Sequence, residues 1–283
     1  MKKMNKIRYM VIIEDLHNHT YFSKDAKEKP ENYLESAAVN GIEYLGLSEH
    51  IDLDPSDKDF GYYKYAPTRI KYNELKHLYE NRLTLLFATE LTYQSFLHSA
   101  IINEVISRPY DYIIGSVHRI MGFTISGIHG IEYFAGKSEY DAYMPYFEEL
   151  LNMVETNFYD IVGHLDVIKR YGTNFYGTFH IDRYIDILTL ILKKVIEKGK
   201  VIEINSSGFR QGLDEPYPSK EIISLYQSLG GKEVVFGSDA HDISQFGFKL
   251  AETMQLTLAV YDFDIISYNM REKVYVGKIS KML

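Results

Sequence analysis

The 283 residues of this chain include no cysteine and no tryptophan. Without cysteine, disulfide bonds and thiolate metal sites are excluded, so any bound metal must take nitrogen and oxygen ligands. The chain also lacks an apolar run of membrane-spanning length, which predicts no membrane partner. The net charge is −8 and no long basic run occurs, whereas binding to a phosphate backbone needs clustered lysine and arginine. We therefore expect no nucleic-acid partner.

The remaining composition is that of an ordinary globular protein, with 46% hydrophobic and 25% charged residues. Near the N-terminus, the apolar run 9–13 is too short for the core of a signal peptide, so we expect a cytoplasmic protein. The composition does not change along the chain, and there is no internal repeat of the solenoid type. Residues 1–283 are therefore predicted to form a single domain.

Short strand-like runs alternate with longer helical patterns along most of the chain. The predicted strands are 9–13, 42–47, 83–88, 112–115, 159–162, 201–204 and 233–236. The predicted helices are 30–40, 68–81, 98–107, 138–157, 182–198 and 219–229. Between them, the glycine-containing segment 119–136 is predicted to be an irregular binding loop or lid. This βαβ order predicts an α/β fold with a parallel sheet.

Polar residues follow the carboxyl ends of most of these strands. The first group is His17 and His19, separated by one residue just after the first apolar run. Other strand ends carry His50, Glu90, His118, His164, Asp239 and His241. In a (β/α) barrel the strand ends share one face, so a barrel would bring these imidazoles and carboxylates together. The structural alternative is an open doubly wound sheet, but no G-x-G-x-x-G follows the first strand to indicate a dinucleotide site.

Several longer stretches carry a family resemblance, in the same order as in the family. They are Asp15-Leu16-His17-Asn18-His19-Thr20 with the following 22–26, Leu47-Ser48-Glu49-His50, Thr89-Glu90, 114–118, Gly163-His164-Leu165-Asp166, 203–210 and 237–241. On these motifs the chain resembles the PHP (polymerase and histidinol phosphatase) family, and its histidinol-phosphatase branch most. The resemblance implies a distorted (β/α)7 TIM-like barrel with a metal site at the C-terminal ends of the strands.

The resemblance also implies three divalent transition-metal ions. One ion would take His17, His19, Glu90 and Asp239; a second would share Glu90 and take His118 and His164; a third would take Asp25, His50 and His241. Imidazole and carboxylate ligands suit zinc, iron and manganese alike. Asp25 stands where some relatives have histidine, which makes the third site harder in its ligand character.

The expected chemistry is attack of a metal-activated water on a phosphate monoester. Glu90, Asp239 and His241 are the predicted catalytic residues. For the substrate phosphate we expect Arg210 first, then Arg119 and Lys169, the last with its neighbour Arg170. The proton donor to the leaving group stays open between a water on the third metal, His129 and Asp166. Glu203 is interpreted as a residue that orients a ligand histidine.

These expectations predict a metal-dependent phosphomonoesterase that acts on a small molecule, with L-histidinol phosphate as the first substrate to test. This would be a histidinol-phosphatase of histidine biosynthesis. One alternative is a PHP phosphoesterase that acts on a nucleotide or another small phosphate ester. A second is a metal hydrolase of C–N or C–O bonds, although such barrels usually bridge their metals with lysine where this chain has Glu90. A third is a binding protein with a decayed site, which the complete ligand set disfavours.

Overall fold

The structure is a computed structural model that describes residues 13–277. The strand predicted over 9–13 therefore lies almost wholly outside the described residues. The strands are β1 (Glu14–Asp15), β2 (Tyr44–Ile51), β3 (Thr84–Thr92), β4 (Tyr112–Ser116), β5 (Arg119–Ile120), β6 (Phe123–Thr124), β7 (Ile161–Val162), β8 (Val201–Asn205), β9 (Glu233–Gly237), β10 (Asp264–Asn269) and β11 (Glu272–Gly277). The helices are α1 (Pro30–Asn40), α2 (Tyr65–Tyr79), α3 (His98–Ser107), α4 (Ile131–Phe134), α5 (Glu139–Glu155), α6 (Lys169–Tyr176), α7 (Ile185–Glu197), α8 (Ser207–Arg210), α9 (Lys220–Ser228) and α10 (Leu250–Val260).

Nine of these strands form one sheet in the order β1-β2-β3-β4-β7-β8-β9-β10-β11. Every pair is parallel except β10 with β11. The predicted α/β fold with a mainly parallel sheet is therefore confirmed, but closure into a barrel is not. Over residues 13–277 no strand ladder returns from the far side of the sheet to β1. The edges do approach, because the backbone nitrogen of Leu16 donates to the carbonyl of Phe236 at 2.9 Å.

Local sequence signals explain where several helices begin and end. Pro30 lies at the first position of α1, and Gly41 ends that helix in the left-handed conformation at φ +73°. Ser138 caps α5 by accepting from the backbone nitrogen of Asp141, and Ser219 caps α9 in the same way. The predicted helices agree with the structure within a few residues at each end, where helix boundaries are least sharply defined.

The inner faces of the parallel strands pack into an apolar cluster. Leu86, Tyr112, Val201 and Val235 belong to it, together with Ile266 and other residues of β10. Because β10 also places the Tyr268 hydroxyl 3.3 Å from the carbonyl of Asp160, just before β7, it covers the end of the sheet at which the strands start. The polar side chains lie at the opposite end, where the strands finish. Neither β10 nor β11 was predicted from the sequence.

The segment 119–136 is more regular than predicted. It holds the antiparallel pair β5–β6 and the short helix α4. Met121 and Gly122 join the two strands with φ of +51° and +83°, the left-handed conformations that a tight hairpin turn requires. None of the helices within residues 13–277 is long and apolar enough to cross a membrane.

Candidate metal centre

The strand ends bring the nine predicted ligands to one cavity and the layer beneath it. His17 and His19 are fully buried just after β1, while His50 lies in β2 and Glu90 in β3. The parallel register pairs His50 directly with Glu90. The cavity is lined by Asp25, His50, Glu90, His118, His164, Asp239 and His241, among others. The arrangement arises because parallel strands all finish on the same side of the sheet.

Glu90 lies at the centre of five imidazoles, with Oε1 facing two of them and Oε2 facing three. Oε1 is 3.2 Å from Nε2 of His118 and 2.9 Å from Nε2 of His164. Oε2 is 3.3 Å from Nε2 of His17, 3.5 Å from Nε2 of His19 and 2.9 Å from Nδ1 of His50. A carboxylate that divides its two oxygens in this way has the geometry of a group shared between two cations.

Two further carboxylates border the same space. Oδ1 of Asp239 is 3.2 Å from Nε2 of His19. Oδ2 of Asp25 lies 3.4 Å from Nε2 of His241 and 3.6 Å from Nε2 of His50. The side chains form four groups whose ligand atoms all lie within 4.8 Å of one another: His19 with His50 and His241, His17 with His19 and Asp239, His17 with Glu90 and His164, and His50 with Glu90 and His118.

The buried polar atoms that lack a hydrogen-bond partner test whether this site fits metal ions. They include Nε2 of His17, both ring nitrogens of His19 and Oε2 of Glu90. Buried polar atoms are normally paired, and leaving one unpaired costs about 1–3 kcal/mol. Because these atoms are nitrogen and oxygen donors that face a common space, divalent cations fit the site and would satisfy them.

The charges of the site explain its shifted pKa values. Burial on its own would raise the pKa of Glu90, but His118, His17 and His50 hold it well below its usual value. Burial likewise opposes the ionised form of Asp239, yet His19 and His17 keep its pKa well below normal. Burial lowers the pKa of His19 well below its usual value, and the neighbouring imidazoles lower it further. His19 is therefore neutral at pH 7, the form that binds a metal.

Some of the imidazoles are oriented by outer partners. Nδ1 of His17 is 2.7 Å from Oε1 of Glu203, which leaves Nε2 directed at Glu90. The other oxygen of Glu203 accepts from the backbone nitrogen of His164 at 2.8 Å. Nδ1 of His241 is 3.0 Å from the backbone carbonyl of Asp239. These contacts match the orienting role that was predicted for Glu203.

Two buried carboxylates that are not candidate ligands hold the ligand-bearing loops. Glu49 accepts from the hydroxyls of Thr20 and Ser23, both at 2.6 Å, and thereby fixes the loop that leads to Asp25. Asp15 accepts from the backbone nitrogen of Ser238 at 2.9 Å and also from its hydroxyl. The next residue, Asp239, has φ +53°, an uncommon conformation for a residue other than glycine. The strained backbone lies at a candidate ligand.

Two of the three cations predicted to bind phosphate are paired with carboxylates of the protein. Arg119 contacts Asp57 at 2.5 Å and Asp54 at 3.5 Å. Lys169 contacts Asp166 at 2.7 Å and Glu215 at 2.9 Å. These are buried ion pairs, so neither cation is free to meet a ligand without breaking them. The same pairing, together with a bond from the backbone nitrogen of Ser219, engages the Oδ2 oxygen of Asp166, one of the open proton donors.

Arg210 lies close to the centre but is turned toward the backbone. Its guanidinium donates to the carbonyls of Ser238 and Asp239, and it lies 3.9 Å from the Asp239 carboxylate. The cations that line the cavity are Arg170 and Lys58. Arg170 donates to the carbonyl of Ser126 at 2.7 Å. The side chain of His129, another open proton donor, lies outside the part of the chain that the structure describes.

Asp52 and Thr92 also lie beside the centre. Neither was predicted from the sequence to be a functional residue. Asp52 lines the cavity, and Thr92 lies two residues after Glu90 in β3. Their positions directly follow the paired residues Ile51 and Leu91 in the parallel register of β2 and β3. The signal that could have found them is this register, because it extends the alignment of His50 with Glu90 by two residues.

Comparisons with known proteins agree on one family. The PHP domain matches residues 15–207. The histidinol-phosphatase of Lactococcus lactis subsp. lactis (strain IL1403) is 29% identical over 234 residues, which cover 80% of this chain and 83% of that protein. The probable histidinol-phosphatase of Thermotoga maritima is 25% identical over 272 residues, which cover 93% of this chain and 98% of that protein.

Among solved structures, the fold matches the histidinol phosphate phosphatase of Lactococcus lactis subsp. lactis Il1403, which was crystallised with zinc, L-histidinol and phosphate. The TM-score is 0.82 at 24% sequence identity, and the match covers 93% of this chain and 99% of that one. The motifs that suggested the family in the sequence thus lie in a chain with the corresponding fold. With the PHP domain matching well over half of its residues, this chain belongs to the PHP domain family.

Proposed function

We propose that this protein is a metal-dependent phosphomonoesterase that hydrolyses L-histidinol phosphate to L-histidinol and phosphate. The observation that supports the metal-dependent part is Glu90, which is fully buried and faces five imidazoles through its two oxygens. The names of the relatives, which match most of the chain, support the substrate. Such a reaction would belong to histidine biosynthesis, in keeping with a cytoplasmic enzyme.

Three divalent ions are proposed, held by the nine residues named from the family resemblance. Glu90 would be shared between the ion with His17, His19 and Asp239 and the ion with His118 and His164. The contacts of Asp25 with His50 and His241 support a third position nearer the cavity mouth. Zinc is the metal found in the related Lactococcus structure, and iron and manganese suit the same donor types. Bound, such ions supply an activated water and neutralise charge on the phosphoryl group.

The chain's own residues would orient the substrate and hold the ligand set. Arg170 lines the cavity with one of its guanidinium nitrogens bonded to Ser126, so the remaining N–H groups are available to phosphate oxygens. Arg210 donates to the carbonyls of Ser238 and Asp239, which lie before and after the Asp239 α-carbon. It would thereby hold Asp239 in its strained conformation. Arg119 and Lys169 have their charges satisfied within the protein, which supports structural roles for both.

The ligand residues that were predicted to be catalytic keep distinct proposed roles. Glu90 would be shared between two ions, because its two oxygens face imidazoles from both proposed ligand sets. Oδ1 of Asp239 faces Nε2 of His19, and the side chain lines the cavity. Asp239 would therefore border the space in which water meets the phosphate. His241 would present Nε2, since its Nδ1 is engaged by the Asp239 carbonyl.

We also propose that the sheet curls into a distorted barrel and that residues 1–283 form one domain. The hydrogen bond from Leu16 to Phe236 supports the curling, as does the shared apolar cluster with residues from β3, β4, β8 and β9. One hydrophobic cluster whose members range from Ile13 to Ile265 supports one domain.

Phosphate release tests the proposed function. The metal-free protein would be reconstituted with zinc, manganese or iron and assayed on L-histidinol phosphate, a nucleoside monophosphate and an aryl phosphate. We expect kcat/KM for L-histidinol phosphate to exceed the others by several orders of magnitude and to vanish on chelation. Equal, slow turnover of all three substrates would refute the histidinol phosphate assignment. Full activity in the chelated protein would refute the metal centre.

A further inference from the structure

A buried threonine, Thr92, and a half-buried aspartate, Asp52, lie behind His118, on the side away from Glu90. The hydroxyl of Thr92 donates to Oδ1 of Asp52 at 2.7 Å. The same hydroxyl oxygen is 3.0 Å from Nδ1 of His118. Thr92 and His118 are both buried, so solvent competes little for the contact between them, while Asp52 is half-buried at the cavity wall. The three side chains therefore form a short chain of hydrogen bonds that ends at a candidate ligand.

The single proton of the Thr92 hydroxyl decides which ring nitrogen of His118 is protonated. A hydroxyl carries one proton, and that of Thr92 is given to Asp52. The contact with His118 must then be one in which Nδ1–H donates to the hydroxyl oxygen. A neutral imidazole protonated at Nδ1 has its lone pair on Nε2. That nitrogen lies 3.2 Å from Glu90 and 3.3 Å from Nε2 of His164, in the candidate metal centre.

The other imidazole of the same group has no such support. Nδ1 of His164 has no hydrogen-bond partner, although His164 also faces Oε1 of Glu90. Elsewhere in the centre, His17 is oriented by Glu203. Of the pair His118 and His164, only His118 is thus held in a defined tautomer by side chains outside the ligand set. This difference makes Thr92 and Asp52 more than general packing around the site.

We propose that Asp52 and Thr92 are positioning residues that fix His118 as the Nδ1–H tautomer and so present its Nε2 to a divalent ion. The proposal rests on the metal centre of the proposed function. It adds two residues to the determinants of metal affinity: Thr92 at the end of β3 and Asp52 directly after β2. Hydrogen bonds of this kind to a ligand histidine typically change metal affinity by about 10- to 100-fold.

Substitution of Thr92 by valine tests the relay with little change in side-chain shape. We expect Thr92→Val to bind one zinc ion about 10- to 100-fold more weakly while retaining the others. Zinc affinity would be measured by competition with a chelating dye, and zinc content by mass spectrometry after dialysis. Thr92→Ser should restore the affinity because it returns the hydroxyl. Thr89→Val is the matched control, since that buried hydroxyl on the same strand bonds only the Glu49 carbonyl.

A second variant tests the direction of the hydrogen bond between Thr92 and His118. In Asp52→Ala the Thr92 hydroxyl is free to donate to Nδ1 of His118, which favours the tautomer that cannot bind a metal through Nε2. We therefore expect Asp52→Ala to weaken the same ion. If Thr92→Val and Asp52→Ala both keep the zinc affinity and content of the wild type, the proposal is overturned.

A measurement on the wild type does not depend on any variant folding. In the zinc-loaded, 15N-histidine-labelled protein, the His118 ring should show a protonated Nδ1 and a metal-bound Nε2, with the signals assigned by their loss in His118→Asn. The opposite assignment would overturn the relay. A wild-type protein that binds no zinc would instead refute the proposed metal centre, so the two failures are distinguishable.

Discussion

Replacing Arg119 by methionine separates two roles that the sequence left together, a ligand for substrate phosphate and an internal clamp. The structure pairs its guanidinium with Asp57 at 2.5 Å and Asp54 at 3.5 Å, and it also bonds Ser56 and the carbonyl of Gly122. The side chains of Arg119 and Asp57 are only 7% and 5% exposed. The pair therefore joins the loop after β2 to the β5–β6 hairpin at the edge of the cavity.

The size of the effect follows from this burial. Removing one partner of a buried ion pair costs about 3–5 kcal/mol, because the other charge stays buried without a partner. Asp57 keeps one bond, from the backbone nitrogen of Asp59, so we expect Arg119→Met to lower the free energy of unfolding by about 3 kcal/mol. Asp57→Asn in the same chain removes the uncompensated charge. We expect the double variant to recover about 2 kcal/mol.

Urea unfolding at pH 7 measures these differences, and the matched control is Arg183→Met. Arg183 pairs with Glu139 at 2.6 Å but is 68% exposed, so its loss should cost less than about 1 kcal/mol. KM for the substrate should change little in Arg119→Met protein that is kept folded below its midpoint. A variant of wild-type stability whose KM rises about tenfold for every phosphate ester would refute the clamp and restore Arg119 as a phosphate ligand.

The remaining predictions concern the centre, the cavity wall and one buried lysine. Glu90→Gln should abolish phosphate release and reduce metal content, since it removes a charge that faces five imidazoles; a fully metallated, active variant would contradict the site. Arg170→Ala should lower kcat/KM by about 10- to 100-fold with metal content unchanged, as expected for losing a charged hydrogen bond to phosphate. An unchanged kcat/KM would remove Arg170 from the substrate site. Burial lowers the pKa of Lys200 to about 8, below the usual 10.5, so the unfolded chain holds this proton more tightly and stability should rise with pH above about 8. Relative to Lys200→Met, the wild type should gain about 2 kcal/mol of unfolding free energy between about pH 7 and pH 9.5 in denaturant titrations, and a constant difference would refute the shift.

The sequence was informative about the parallel strands because their signals are local. Apolar runs that end in His50 or Glu90 predict both a strand and the side chain at its end. Pro30 and Gly41 mark the start and end of a helix through their own backbone preferences. The strands β10 and β11 were missed. The inward-facing Ile266 and Tyr268 of β10 resemble those of any buried segment, and nothing nearby indicates that they cover the start of the other strands.

The partners of the cations around the cavity could not be predicted from the sequence. Arg119 follows a candidate ligand directly, and Lys169 and Arg170 are neighbours, so all three looked alike along the chain. In the structure Arg119 contacts Asp57, 62 residues earlier, and Lys169 contacts Glu215, 46 residues later, while Arg170 lines the cavity. The charge that a side chain finally faces depends on contacts between distant segments, which residue spacing cannot reveal.

The sequence by itself determined the family, the mainly parallel α/β fold and the set of nitrogen and oxygen donors at the strand ends. The family follows from the resemblance of its motifs, and the fold and the donors follow from short-range periodicity and residue chemistry, which the chain carries before it folds. Only the tertiary structure decided which carboxylate faces five imidazoles, which cations line the cavity and which histidine contacts the hydrogen-bonded pair Thr92 and Asp52. Those properties depend on distances of about 3 Å between residues far apart in sequence, and only packing of the strands sets such distances.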